Sequence, residues 1–77
     1  MKKLTINEWN DLREKCFSMI KTYPNLRIGQ CLFNILHEQN PELADSVRGT
    51  VNDPFYASGY TDTRVRNFYD SVVEIEN

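Results

Sequence analysis

Between Asn25 and Glu38 the chain carries a short, thickly apolar stretch that every other segment must accommodate. Placed on a helix, Ile28, Gly29, Cys31, Leu32, Phe33, Ile35 and Leu36 spread over roughly 200° of the circumference, wider than the stripe of an ordinary surface helix. Such a helix needs neighbours on more than one side. The remaining arc collects Arg27, Gln30, Asn34, His37 and Glu38, spaced so that they stack along one face. That polar ribbon meets either water or a partner.

The flanking segments supply those neighbours. Thr5 and Glu8 have the spacing of a capping box, in which a side-chain oxygen and a carboxylate each accept one of the first free amides, so a helix is expected from Ile6. Trp9, Leu12, Cys16, Ile20 and Tyr23 recur at helical spacing, with Phe17 and Met19 widening the apolar face. Pro24 ends this helix near Thr22, because the residue before a proline is pushed out of the helical region. Asn25 is the expected N-cap of the central helix, and Gly29 near its start points to close approach by another backbone.

Asn40 and Pro41 restart the chain as N-cap and first helical position. A third helix of about two turns follows, with Leu43, Ala44 and Val47 inward and Gly49 as a left-handed stop. From Thr50 to Asp62 no helical period appears. Asp53-Pro54 and Ser58-Gly59 are turn chemistry, while Phe55, Tyr56 and Tyr60 are too much aromatic surface to leave wet, so an ordered loop pinned by its rings is expected. A last helix begins near Thr61 or Asp62 with Val65, Phe68, Tyr69, Val72 and Ile75 on one side. Asp70, Glu74 and Glu76 near its end oppose the helix dipole, so its final turn is expected to fray unless a cation or partner neutralises it, and this acidic helix is the alternative binding face to the polar ribbon and aromatic loop. The fold class is therefore all-α: three to four short helices in one compact domain over residues 1–77, with an aromatic loop before the last helix.

Charge narrows the partners. A net charge of -2 supplies no cationic field for nucleic acid or anionic lipid, although the first forty residues sum to +2 and the remainder to -4. The join at Gln39, Asn40 and Pro41 allows a helix-turn-helix in principle, but Glu42 and Asp45 on its second helix would face phosphates. No apolar stretch has the length of a signal sequence core or a membrane span, so cytoplasmic action and free thiols at Cys16 and Cys31 are expected.

Catalytic and metal chemistry lack their usual constellations. His37, the only histidine, follows Cys31 by six residues, which puts them roughly 120° apart around a helix and nearly two turns along it. They cannot form a thiol–imidazole dyad there. Paired Cys or His ligands at close spacing, glycine-rich phosphate loops and supported carboxylate pairs are missing, so no enzyme activity, metal or cofactor is expected. The candidate binding residues are Arg27, Gln30, Asn34, His37, Arg48, Asp53, Phe55 and Tyr56, since arginine and aromatic side chains dominate interface energetics. A forked contact from Arg48 to Asp53 is expected to brace the loop.

The run of Arg27, Gly29, Gln30, Phe33, Asn34, Leu36, His37, Glu38, Pro41, Leu43, Ala44, Arg48, Gly49, Thr50, Asp53, Pro54, Phe55 and Tyr56 resembles a family of small bacteriophage and bacterial proteins of unassigned activity. It spans 30 of the 77 residues. The resemblance implies a phage-like accessory protein in the bacterial cytoplasm that binds a host or phage protein, with a short aromatic-containing helix after the run, matched by Arg64 to Val73. Rival expectations are a homodimer or other assembly role, and a nucleotide or nucleic-acid binder acting against host defence through Arg27, His37 and Arg48.

Overall fold

The computed structural model describes residues 2–74, and among them the element order is α1 (Ile6–Thr22), α2 (Ile28–Gln39), α3 (Pro41–Val47) and α4 (Thr63–Val72). The fold is an all-α bundle of short helices in which α2 packs against both α1 and α3. Its seven apolar-arc residues, Gly29 included, are all buried, while Asn34, His37 and Glu38 are exposed and Gln30 is half-buried. Leu12 and Cys16 of α1, Leu32 and Leu36 of α2, Leu43 of α3, and Phe68 and Val72 of α4 complete one shared core. Truncating one of these leucines to alanine costs about 2–5 kcal/mol, a large part of what a domain this small possesses.

Local chemistry accounts for the boundaries. Thr5 and Glu8 form the full capping box: the Glu8 amide donates to Thr5 Oγ1 at 3.1 Å and the Thr5 amide to Glu8 Oε1 at 2.9 Å. Asn40 Oδ1 accepts from the Leu43 amide at 3.2 Å with Pro41 at the first helical position, and Gly49 closes α3 at a φ of 71°.

The start of α2 differs from expectation. Pro24 and Asn25 are the central residues of a turn closed by the Leu26 amide on the Tyr23 carbonyl at 3.0 Å, so Asn25 is used there and Arg27 stands at the N-cap without a side-chain bond. The free Gly29 amide donates instead to the Ala57 carbonyl at 3.0 Å. A carbonyl from a distant loop thus does the work of a cap.

α1 buries a narrower face than its pattern implies. Trp9, Leu12 and Cys16 are buried, but Phe17 is 49% and Tyr23 59% exposed, because α2 covers one side of α1 only. The loop before α4 is ordered, but Pro54 and Ala57 rather than its rings hold it: both are fully buried, while Phe55 is half-buried and Tyr56 is exposed.

α4 ends at Val72. Val73 turns extended and forms a parallel bridge with Leu4, whose amide donates to the Val72 carbonyl at 2.8 Å and whose carbonyl accepts from the Glu74 amide at 2.6 Å. The segment around Leu4 and the residues that follow α4 are thus clasped together, and Asn40 Nδ2 reaches the Lys2 carbonyl at 3.2 Å beside them. Ile75 and Glu76 lie outside the described residues. Within its bounds α4 carries Arg64 and Arg66 beside Asp70, so it presents no acidic face.

Candidate functional site

The candidate surface is built where α2, the end of α3 and the aromatic loop meet. Phe33 lies on the edge of the apolar arc of α2, next to the exposed Asn34, and three groups gather around its ring. His37, one turn further along the same face, stacks on it with centroids 6.3 Å apart and planes 23° apart. The Arg48 guanidinium carbon stands 5.3 Å from the Phe33 centroid, a cation over an electron-rich face. Phe55 meets the ring edge-on at 6.2 Å, and Tyr56 meets Phe55 edge-on at 5.2 Å. Between them is an open hollow of about 460 Å³ whose remaining lining is Asn34, Gly49 and Asp53.

The position of the loop depends on contacts below this surface. The turn Pro54–Ala57 is closed by the Ala57 amide on the Pro54 carbonyl at 2.7 Å, and it sits directly on Gly29. No side chain fits between them: a Cβ on Gly29 would stand 1.7 Å from the Pro54 carbonyl oxygen and 3.0 Å from the Ala57 Cβ. The close backbone approach expected at Gly29 is therefore found, and its partner is the loop.

Arg48 and Asp53 do not form the expected forked contact. Arg48 Nη2 pairs with Asp45 Oδ1 at 3.2 Å, a partner one helical turn away that it reaches without ordering a loop. The Asp53 carboxylate is used by backbone donors, Oδ2 by the Gly49 amide at 2.7 Å and Oδ1 by the Phe55 amide at 3.0 Å. Asp53 still ties the loop to the end of α3, through amides rather than a guanidinium. Asp45 also lies 3.8 Å from His37 Nε2, making it the shared carboxylate of the cluster. All three partners are about half exposed, so these pairs orient side chains more than they stabilise the fold.

Of the eight candidate residues, Asn34, Arg48, Asp53, Phe55 and Tyr56 line the hollow, and His37 touches it through Phe33. Arg27, the N-cap of α2, and Gln30, on its first turn, are not part of its lining. Three participants were not singled out from the sequence. By pattern Phe33 belongs to the core arc, Gly49 to a helix stop and Asp45 to the acids of the third helix, although the i, i+3 spacing of Asp45 to Arg48 is readable.

The lining contains no Ser, Thr, Cys or Lys to act as a nucleophile. Cys16 and Cys31 are free and buried, and burial, followed by the neighbouring Cys31, pushes the Cys16 thiol well above its ordinary range. Among the described residues no three His, Cys, Asp or Glu side chains converge as metal ligands would, and no helix is long and apolar enough to cross a membrane. No family model, curated protein or solved structure matches the chain. Its function must be argued from this surface.

Proposed function

We propose that the chain is a non-catalytic protein-interaction module, a phage-like accessory protein that binds a bacterial host or phage protein, in the manner of an inhibitor, through the face around Phe33. One observation carries this reading. Phe55 and Tyr56 are presented at the rim of an open hollow by a loop that is fixed to α2 at Gly29, Arg48 joins them from the end of α3, and Tyr56 is left 65% exposed in a domain with few apolar groups to spare. Arginine and tyrosine are the residues that most often anchor protein interfaces, and an anchor already held in place loses little freedom on binding. The likeness of the Arg27–Tyr56 run to small bacteriophage proteins supports the accessory role.

The hollow suits an apolar side chain from the partner, with Asn34 and Arg48 left to accept or donate at its edge. Immobilised protein exposed to bacterial lysate is expected to retain one protein saturably, and Tyr56→Ala with Arg48→Ala to release it. A partner retained equally by the double variant, or none in any host tested, contradicts the proposal.

A further inference from the structure

A second surface shares no lining residue with the hollow. α1 and α4 meet through Trp9, whose ring lies 5.9 Å from Phe68 and 5.2 Å from Tyr69. An open groove of about 550 Å³ runs between the two helices beside this contact, bordered by Ile6 and Arg13 on α1, Arg66 and Asp70 on α4, and Tyr60 at the loop. Ile6 is 39% and Tyr60 36% exposed. Phe17, packed against Tyr60 with ring centroids 5.3 Å apart, extends the apolar surface beyond the groove. Ile6, Arg13 and Phe17 fall at intervals of seven and four residues, so they form one row about 16 Å long on α1.

The charge of this groove runs against that of the molecule. In a chain of net charge -2, Arg13 and Arg66 here face one carboxylate, Asp70, and the ion pairs found among the described residues involve neither arginine. The Tyr60 phenol adds no negative charge near neutral pH, as an ordinary phenol ionises only at about pH 10. Two cations separated by exposed apolar groups suit carboxylates separated by apolar side chains. A nucleic-acid backbone fits poorly, because it would meet Asp70 and bury no apolar surface against Ile6 or Phe17.

We propose that the α1–α4 groove docks an acidic amphipathic helix of a partner protein, whose apolar side chains rest on Ile6, Tyr60 and Phe17 while its carboxylates face Arg13 and Arg66. A helix is the occupant of choice because the groove is walled by two helices and Ile6, Arg13 and Phe17 stand in one row along α1, so that apolar and acidic side chains on successive turns of a docked helix can engage them together. This docking is independent of the face around Phe33.

A yeast-displayed library of random 16-residue peptides, selected on the immobilised full-length protein, tests it. Enriched peptides are expected to carry an excess of Asp and Glu, apolar residues three or four apart, and affinity that falls with salt. They should bind the variant Arg13→Glu with Arg66→Glu at least about tenfold more weakly and the variant Arg48→Ala with Tyr56→Ala unchanged. Arg13→Gln with Arg66→Gln, run in parallel, covers the case in which charge reversal disturbs folding, and unchanged thermal melting shows that neither pair is structural. Failure to enrich any binder, enrichment without acidic bias, or equal binding by the arginine variants overturns the proposal. Sedimentation that shows a concentration-dependent dimer broken by the same variants overturns it too, by making a second copy of the chain the occupant.

Discussion

Gly29 and Pro54 are in backbone-to-backbone contact, so close that a Cβ at Gly29 would stand 1.7 Å from the Pro54 carbonyl oxygen. The most deeply buried point of the aromatic loop is thereby seated on the first turn of the central helix. The adjacent Gly29 amide bonds to Ala57 at 3.0 Å, so the same glycine supplies both the space and a hydrogen bond.

Gly29→Ala should therefore be the most damaging glycine substitution. The obstructing atom is a carbonyl and cannot rotate away, so the loop must lift, at a cost of about 2–3 kcal/mol. Gly49→Ala meets no atom within 4 Å and suffers only the strain of its positive φ, about 1 kcal/mol. Urea unfolding of the two variants gives the comparison, and a milder effect at Gly29 than at Gly49 would mean that the loop is not seated there.

Asp53 and Arg48 should separate stability from binding. Removing the Asp53 carboxylate leaves the Gly49 and Phe55 amides without their acceptor, so Asp53→Ala is expected to cost about 1–2 kcal/mol and to weaken partner binding by loosening Phe55 and Tyr56. Arg48→Ala removes an exposed pair to Asp45 and should shift the unfolding midpoint little while still weakening binding. Thermal melts alongside partner titrations distinguish the two.

The thiols should be inert in the folded protein. Cys16 and Cys31 are both buried, and burial holds the Cys16 thiol protonated at neutral pH. A chromogenic thiol reagent is expected to react at the rate of unfolding, with urea restoring rapid reaction. Prompt labelling of either residue in native buffer would contradict their placement in the core.

Acid should loosen the start of α4 only at low pH. Asp62 caps this helix through the Arg64 amide at 2.9 Å and takes two further bonds from the Arg64 side chain, and the side-chain bonds first, then the amide, lower its pKa to about 2. A lowered folded pKa means that this capping contribution is complete above the ordinary carboxylate value of about 3.9 and is lost as pH falls toward 2. Carboxyl chemical shifts followed by NMR should place the Asp62 midpoint near the lower figure, and Asp62→Asn should remove the dependence.

What was legible in the sequence was local. Thr5 with Glu8, Asn40 with Pro41, and Gly49 each act within four residues of themselves, and each was found in its expected place. The wide apolar arc of α2 was also readable, since periodicity along one helix needs no knowledge of its neighbours. What failed depended on distant geometry. Asn25 lost the N-cap because a turn used it, and Phe17 and Tyr23 lie exposed because α2 packs on one side of α1. The Leu4–Val73 clasp joins segments far apart in sequence through backbone groups, which side-chain patterns do not report. At the candidate site the expected Arg48–Asp53 contact is replaced by Arg48–Asp45, because Asp45 stands one helical turn from Arg48 while the Asp53 carboxylate is taken by backbone amides.

The central claim is that a protein partner is bound at the rim formed by Phe33, Arg48, Phe55 and Tyr56. Its most direct test is site-specific photo-crosslinking in bacterial lysate, with benzoylphenylalanine in place of Tyr56 and, as a control, in place of Tyr23, which is comparably exposed at the α1–α2 turn. One discrete adduct from position 56 that is absent from position 23 is the predicted result. Adducts of equal yield from both positions, or a discrete adduct from position 23 alone, would contradict it.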